Sequence, residues 1–143
     1  MNRRGQLQRV AAYAVAVRHD MILLSRYDSG TWTLPGGGVA HGEHPEGAVV
    51  REVLEETGLE ARVETLLGVA SARWSTADQV SVHSVNIIYA VEVTGGTLRP
   101  ELDGTSDMAQ WLPVEHLAKR RQTAIVGHGL TWLGRGPVTP GPS

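Results

Sequence analysis

Apolar and polar positions follow three regimes along the chain: short β-like blocks to about residue 34, one helical stretch, then two long β-branched runs. Residues 7 to 18, LQRVAAYAVAVR, are rich in Val and Ala, and MILLSRY at 21 to 27 follows the polar pair His19-Asp20. These two runs predict strands joined by a tight turn. Asp28-Ser29-Gly30 marks a second turn, and 31 to 34 reads as a short strand that Pro35 ends. The consecutive glycines Gly36, Gly37 and Gly38 predict an irregular loop, because glycine favours neither helix nor strand yet lets backbone approach a ligand closely.

From 45 to 57 the period becomes helical. At about 100° per residue, Val49, Val50, Val53 and Leu54 fall on one arc that can be buried against a sheet. Pro45 suits the first helical position, Glu46 the positive end of the dipole, and Gly58 the C-terminal stop. His44 is a weaker cap than Ser, Thr or Asp, and Gly47 in the first turn costs about 0.5–1 kcal/mol relative to Ala, so packing must hold this helix.

Residues 60 to 73 and 80 to 93 read as two longer strands, with a polar connection from Trp74 to Gln79 and a turn at Thr94-Gly95-Gly96. Residues 97 to 107, which contain Pro100 and Gly104, read as a loop; 108 to 112 as a last strand; and Pro113 as the start of a short helix reaching about Arg121. These elements predict an α/β fold with a mixed sheet between helices. With 143 residues, the expectation is a single domain over 1–133 followed by a disordered tail over 134–143, which is rich in Gly and Pro.

Composition narrows the chemistry. The formal charge is −2, from 13 basic and 15 acidic residues, which gives no large field for gripping a nucleic-acid polymer. Cysteine is absent, excluding disulfides, thiolate metal sites and a cysteine nucleophile, and fitting a cytoplasmic setting. No apolar run is long enough to span a membrane. Arg3-Arg4 before the apolar residues 10 to 17 is a poor secretory signal, interrupted by Gln6, Gln8 and Arg9, and reads better as the approach to a first strand.

The chemistry concentrates at Glu52, Glu55 and Glu56, which form one acidic stripe on the predicted helix beside Arg51. In a cleft, at roughly 6 Å and an effective dielectric near 20, each pair of acids repels by about 2–3 kcal/mol, and a divalent cation is the natural relief. Carboxylate oxygens point to Mg²⁺ or Mn²⁺. Arg26 and Arg73 are candidates to contact phosphate, and Tyr27, Trp32 or Trp74 to stack on a base. The six histidines show no metal-ligand spacing.

Gly37, Glu43, Arg51-Glu52-Val53, Glu55-Glu56 and Gly58-Leu59, spread over twenty-three positions, resemble the Nudix box at every fixed position. With its flanks the likeness covers most of residues 7 to 117. The resemblance implies a MutT-like α/β/α sandwich around a mixed sheet, and Mg²⁺-dependent cleavage of the pyrophosphate in a nucleoside diphosphate linked to another group, including ordinary or oxidised nucleoside triphosphates. It further implies Glu52, Glu55 and Glu56 as metal ligands, the Gly36 main-chain carbonyl as another, Arg51 as the residue orienting an acid, and Glu43 as a support for the loop.

Family members differ in their general base. Here Glu52, as base or ligand, and a late-loop acid, Asp107 in preference to Glu101 or Asp103, stay open. Relatives acting on ADP-ribose or dinucleoside polyphosphates often carry a Pro or Tyr soon after the box; here the first are Pro100 and Tyr89, which weakens both assignments. A nucleotide or ADP-ribose sensor without turnover is the alternative, and a homodimer would fit many relatives.

Overall fold

The computed structural model describes residues 5–99 and 106–134. In chain order the elements are β1 (Gln6–Val15), β2 (Val17–Arg18), β3 (Met21–Tyr27), β4 (Trp32–Thr33), β5 (Gly36–Gly38), α1 (Pro45–Thr57), β6 (Leu59–Ser75), β7 (Ser81–Gly96) and β8 (Ser106–Pro113). A 3-10 helix (Val114–Lys119) and α2 (Ala124–Leu133) follow.

One sheet has the order β5-β1-β7-β6, with β1 parallel to β7 and the other two pairings antiparallel. The second is built on β3, which pairs with β8 along one edge and with β2 and β4 at opposite ends of the other. The alternation along β1 divides the core. Ala11, Tyr13 and Val15 pack with Leu34, Val126 and Leu130, toward α2. Ala12, Ala14 and Ala16 face the other way, onto Val49 and Val53 of α1. The four-stranded sheet thus lies between two helices, as expected for the α/β/α class.

Local chemistry sets several boundaries. His19 and Asp20 both adopt positive φ, the pair of conformations that a two-residue hairpin turn between β2 and β3 demands. Helix α1 runs from 45 to 57 as its period predicts, and Gly58 ends it at φ 79°. A side chain there would collide with the Thr97 carbonyl oxygen, leaving glycine as the residue that fits. His44 proves to be a working cap: its Nδ1 accepts the Glu46 N–H at 3.1 Å.

Four expectations need correction. Gly36–Gly38 is a short strand rather than an irregular loop, because pairing with Ala11 to Tyr13 of β1 supplies the order that glycine lacks. Trp74 belongs to β6 and Gly95-Gly96 to β7, since the β6–β7 ladder continues from Leu59↔Gly96 to Ser75↔Ser81. The loop read over 97 to 107 gives way to strand at Ser106, so Asp107 lies in β8. The predicted helix from Pro113 is a 3-10 helix ending at Lys119, and α2 beyond it has no counterpart in the sequence reading. Of the expected tail, only Gly134 lies among the described residues, as the stop of α2 at φ 79°.

Candidate functional site

Helix α1 carries Glu52, Glu55 and Glu56 on an arc that borders its buried residues Ala48, Val49 and Val53, and Arg51 ties Glu52 and Glu55 to Glu43. Its Nε and Nη2 donate to the two Glu43 oxygens at 2.9 and 2.8 Å, a planar fork matched to a carboxylate. Nη1 donates to Glu52 at 3.0 Å and to Glu55 at 3.3 Å, and Nη2 also reaches the Gly38 carbonyl at 3.2 Å. Glu43, Glu52 and Glu55 are thereby brought with the arginine into one network. Arg51 and the Ala40 N–H, which donates at 3.0 Å, hold the Glu43 carboxyl down to about 2. The Arg51 guanidinium is pushed further up from its ordinary value, chiefly by Glu43.

Glu56 is placed differently. It is only 9% exposed and reaches the space between the two sheets. Its Oε1 accepts the Gly36 N–H at 2.8 Å and the Ser25 hydroxyl at 3.5 Å. Glycine is needed on the strand opposite: a Cβ on Gly37 would stand 2.8 Å from the Glu52 carboxylate, and one on Gly36 would sit inside contact with the β1 backbone. Gly37 thus lets Glu52 press against β5, and Gly36 lets β5 close on β1.

Next to Glu56, a hollow of about 360 Å³ opens between the sheets and the start of α2, lined by Arg9, Tyr13, Tyr27, Trp74, Asn86 and Thr123 among others. Tyr27 links hollow and acid. Burial first, then Tyr13 and Glu56, push its phenol above the ordinary value, so it faces the cleft as a neutral hydroxyl. Ser84 Oγ lies 2.7 Å from the Asn86 side-chain oxygen, fixing that amide, and Arg9 donates to the Tyr13 hydroxyl at 3.4 Å.

The expected substrate contacts do not converge. Trp74 lines this hollow, Arg73 faces a separate one with Gln6 and His83, and Arg26 a third beside Trp32. Trp32 is buried core, not a free stacking platform. Arg9, Tyr13, Asn86 and Thr123 were missed by sequence reasoning. For Arg9 and Tyr13 the signal was parity, with residues 9, 11 and 13 sharing one face of β1. Glu101 and Asp103 lie outside the described residues, whereas Asp107 is set by its backbone at the β8 irregularity facing Arg26 and Tyr27, beside the strand that carries Ser25.

A cation would find hard oxygen donors here: three carboxylates on one helix face, one of them largely withdrawn from water. Among the described residues, no three such side chains yet converge on one point. Glu52 and Glu55 lean toward Arg51, and Glu56 toward the Gly36 amide. Glu55 is 48% exposed and free to swing. Because Glu43 holds Arg51 through Nε and Nη2, the acids can leave Nη1 without unseating the arginine.

A mixed sheet flanked by helices, with this acidic helix packed under a glycine strand beside an aromatic cleft, defines a Nudix-type hydrolase. The NUDIX domain model matches residues 7–133, and the chain belongs to the Nudix hydrolase family, whose members act on nucleoside diphosphate derivatives. It is 34% identical over 116 residues to a MutT-like protein of Streptomyces ambofaciens, spanning 80% of this chain and 70% of that one. It is 36% identical over 114 residues to an ADP-ribose pyrophosphatase of Methanocaldococcus jannaschii, spanning 77% of this chain and 64% of that one. Among solved structures, a MutT NUDIX hydrolase from Burkholderia pseudomallei superposes with a TM-score of 0.76 at 29% identity, covering 88% of this chain and 98% of the other.

Proposed function

We propose that the protein is a divalent-cation-dependent pyrophosphohydrolase of small nucleotides, with Mg²⁺ the expected ion and nucleoside triphosphates, ordinary or oxidised, the favoured substrates. The observation that carries this reading is the placement of Glu56, a buried carboxylate at the junction of the acidic helix and an aromatic cleft of about 360 Å³. In the proposal, Glu52, Glu55 and Glu56, with the Gly36 main-chain carbonyl, hold the ion. The ion supplies charge that neutralises the phosphate oxygens and acidifies water. Arg51 keeps Glu52 and Glu55 on the cleft side of α1 by charge-assisted hydrogen bonds. Glu52, or Asp107 from the end of β8, takes the proton of the attacking water.

Tyr27 and Trp74 offer flat faces for a base, and the Asn86 amide, its oxygen engaged by Ser84, presents its N–H groups to an acceptor on that base. One of the relatives named above is an ADP-ribose pyrophosphatase, a substrate different from the one favoured here, so the assignment rests on a panel. Purified protein with Mg²⁺ should be offered nucleoside triphosphates, their 8-oxo forms, ADP-ribose and dinucleoside polyphosphates, with products resolved by chromatography. Release of pyrophosphate and a nucleoside monophosphate supports the proposal. Preferential cleavage of ADP-ribose would redirect it to sugar nucleotides, and saturable binding without turnover would make the protein a sensor.

A further inference from the structure

Away from the acidic helix, on the outer side of β4, Arg26, Lys119, Arg120 and Arg121 converge with His116 around a hollow of about 460 Å³ whose lining, among the described residues, contains no carboxylate. We propose that this hollow is a second anion site, taking a small phosphate-rich molecule such as an oligophosphate. It stands independently of the hydrolytic reading. The chain carries 13 basic residues against 15 acidic, yet three cations consecutive in sequence, Lys119, Arg120 and Arg121, share this hollow.

The hollow is shaped as well as charged. The guanidinium carbons of Arg26 and Arg120 lie 5.6 and 5.9 Å from the centroid of the Trp32 ring, which fixes both over an indole that is itself core. Arg121 is held by donating from Nη2 to the Ser29 carbonyl. Gly30, at φ 91°, keeps the turn open beside that guanidinium: a Cβ there would come within 3.2 Å of Nη2. The nearest acid of the 3-10 helix, Glu115, stands at the rim, where its Oε1 lies 3.6 Å from His116 Nε2.

Cations held side by side repel, and an anion with several oxygens relieves that repulsion while accepting from the planar forks of arginine. A cluster confined to one hollow fits a compact polyanion better than a duplex or long strand, which needs a charged track.

The hollow is also wired to the cleft. Trp32 N–H donates to the Arg121 carbonyl at 2.9 Å, Thr123 N–H to the Trp32 carbonyl at 2.9 Å, and the Thr33 and Thr123 hydroxyls lie 2.9 Å apart. Thr33 and Thr123 line the cleft beside Glu56, whereas Trp32 and Arg121 line the basic hollow.

The test is a titration of ¹⁵N-labelled protein with tripolyphosphate in metal-free buffer, with inorganic phosphate and a twelve-nucleotide single strand as comparison probes. Without divalent ions the acids of α1 repel the probe. Saturable shifts at the Trp32 indole N–H and the amides of Lys119 to Arg121 are expected, stronger for tripolyphosphate than for phosphate. Lys119→Gln/Arg120→Gln should weaken binding by about tenfold or more. Should that variant lose its native spectrum, the wild-type map and its weakening with added salt decide the matter. Shifts confined to α1 and the cleft, the absence of saturable shifts, or an affinity unchanged in the variant would overturn the site. Tighter binding of the oligonucleotide would reassign it to nucleic acid.

Discussion

Gly36 and Gly37 are adjacent in one strand, yet replacing each by alanine should damage different things. At Gly36 the backbone sits at φ 154°, and an added Cβ would come 2.7 Å from the Tyr13 Cα and closer still to the Ala12 carbonyl oxygen. Both atoms are backbone, so β5 must move away from β1. That movement costs about 1–3 kcal/mol in strain and weakens the hydrogen bond to the Glu56 carboxylate, a further loss of about 1.5–3 kcal/mol. At about 3–4 °C per kcal/mol for a chain of this size, Gly36→Ala should lower Tm by roughly 10–20 °C.

At Gly37 the backbone lies outside the left-handed region, and the atoms in the way are the far end of one side chain, the Glu52 carboxylate at 2.8–2.9 Å. Restoring ordinary contact near 3.4 Å needs only about 0.6 Å of side-chain movement, so the fold should keep its Tm within about 3 °C. Catalysis should not survive as well, because displacement of a reacting group by about 1 Å costs up to about 10²-fold. Thermal denaturation paired with kcat on the best panel substrate reads both effects. Full activity in Gly37→Ala would remove Glu52 from the chemistry, and an unchanged Tm in Gly36→Ala would refute the close packing of β5 on β1.

Three other outcomes follow from the same contacts. Because the Glu43 carboxyl is held down to about 2, it stabilises the fold above the ordinary carboxylate range and loses that effect as pH falls. The Tm advantage of wild type over Glu43→Gln should be full above about pH 4.5 and vanish near pH 2; an advantage that does not change with pH would contradict the ion pair. Val53 is 0% exposed, so Val53→Asp should destabilise by about 3 kcal/mol or more in denaturant titrations, a wild-type midpoint counting against the buried face of α1. Arg51→Lys keeps the charge but cannot fork Glu43 while reaching Glu52, so kcat should fall about tenfold with KM little changed; a change in KM alone would assign Arg51 to substrate binding.

The parts legible in the sequence were those set by local chemistry. Helix α1 has its period, its proline start and its glycine stop within fourteen residues, 45 to 58, and the glutamates follow from it. The strand Gly36–Gly38 was hidden because its order comes from β1, 23 residues earlier at Tyr13↔Gly36 and 27 at Ala11↔Gly38, and no local propensity signals it. Helix α2, AIVGHGLTWL, was hidden by two glycines in its interior. Gly129 is there for contact: a Cβ would lie 2.5 Å from Val15 Cγ2, so the glycine that weakens the helix lets it close on β1. The cleft was hidden for a related reason, since Arg9, Asn86 and Thr123 come from three elements that meet only after both sheets form.

The most direct measurement is turnover of the best panel substrate by wild type and Glu56→Gln, each with Mg²⁺ and after exhaustive chelation, beside circular dichroism of both proteins. The account predicts that chelation abolishes activity reversibly. It also predicts that Glu56→Gln, with its fold intact, loses at least about 10²-fold in kcat, because the proposal makes the buried carboxylate that accepts from Gly36 and Ser25 a ligand of the ion. Turnover that survives chelation, or persists undiminished in folded Glu56→Gln, would contradict it.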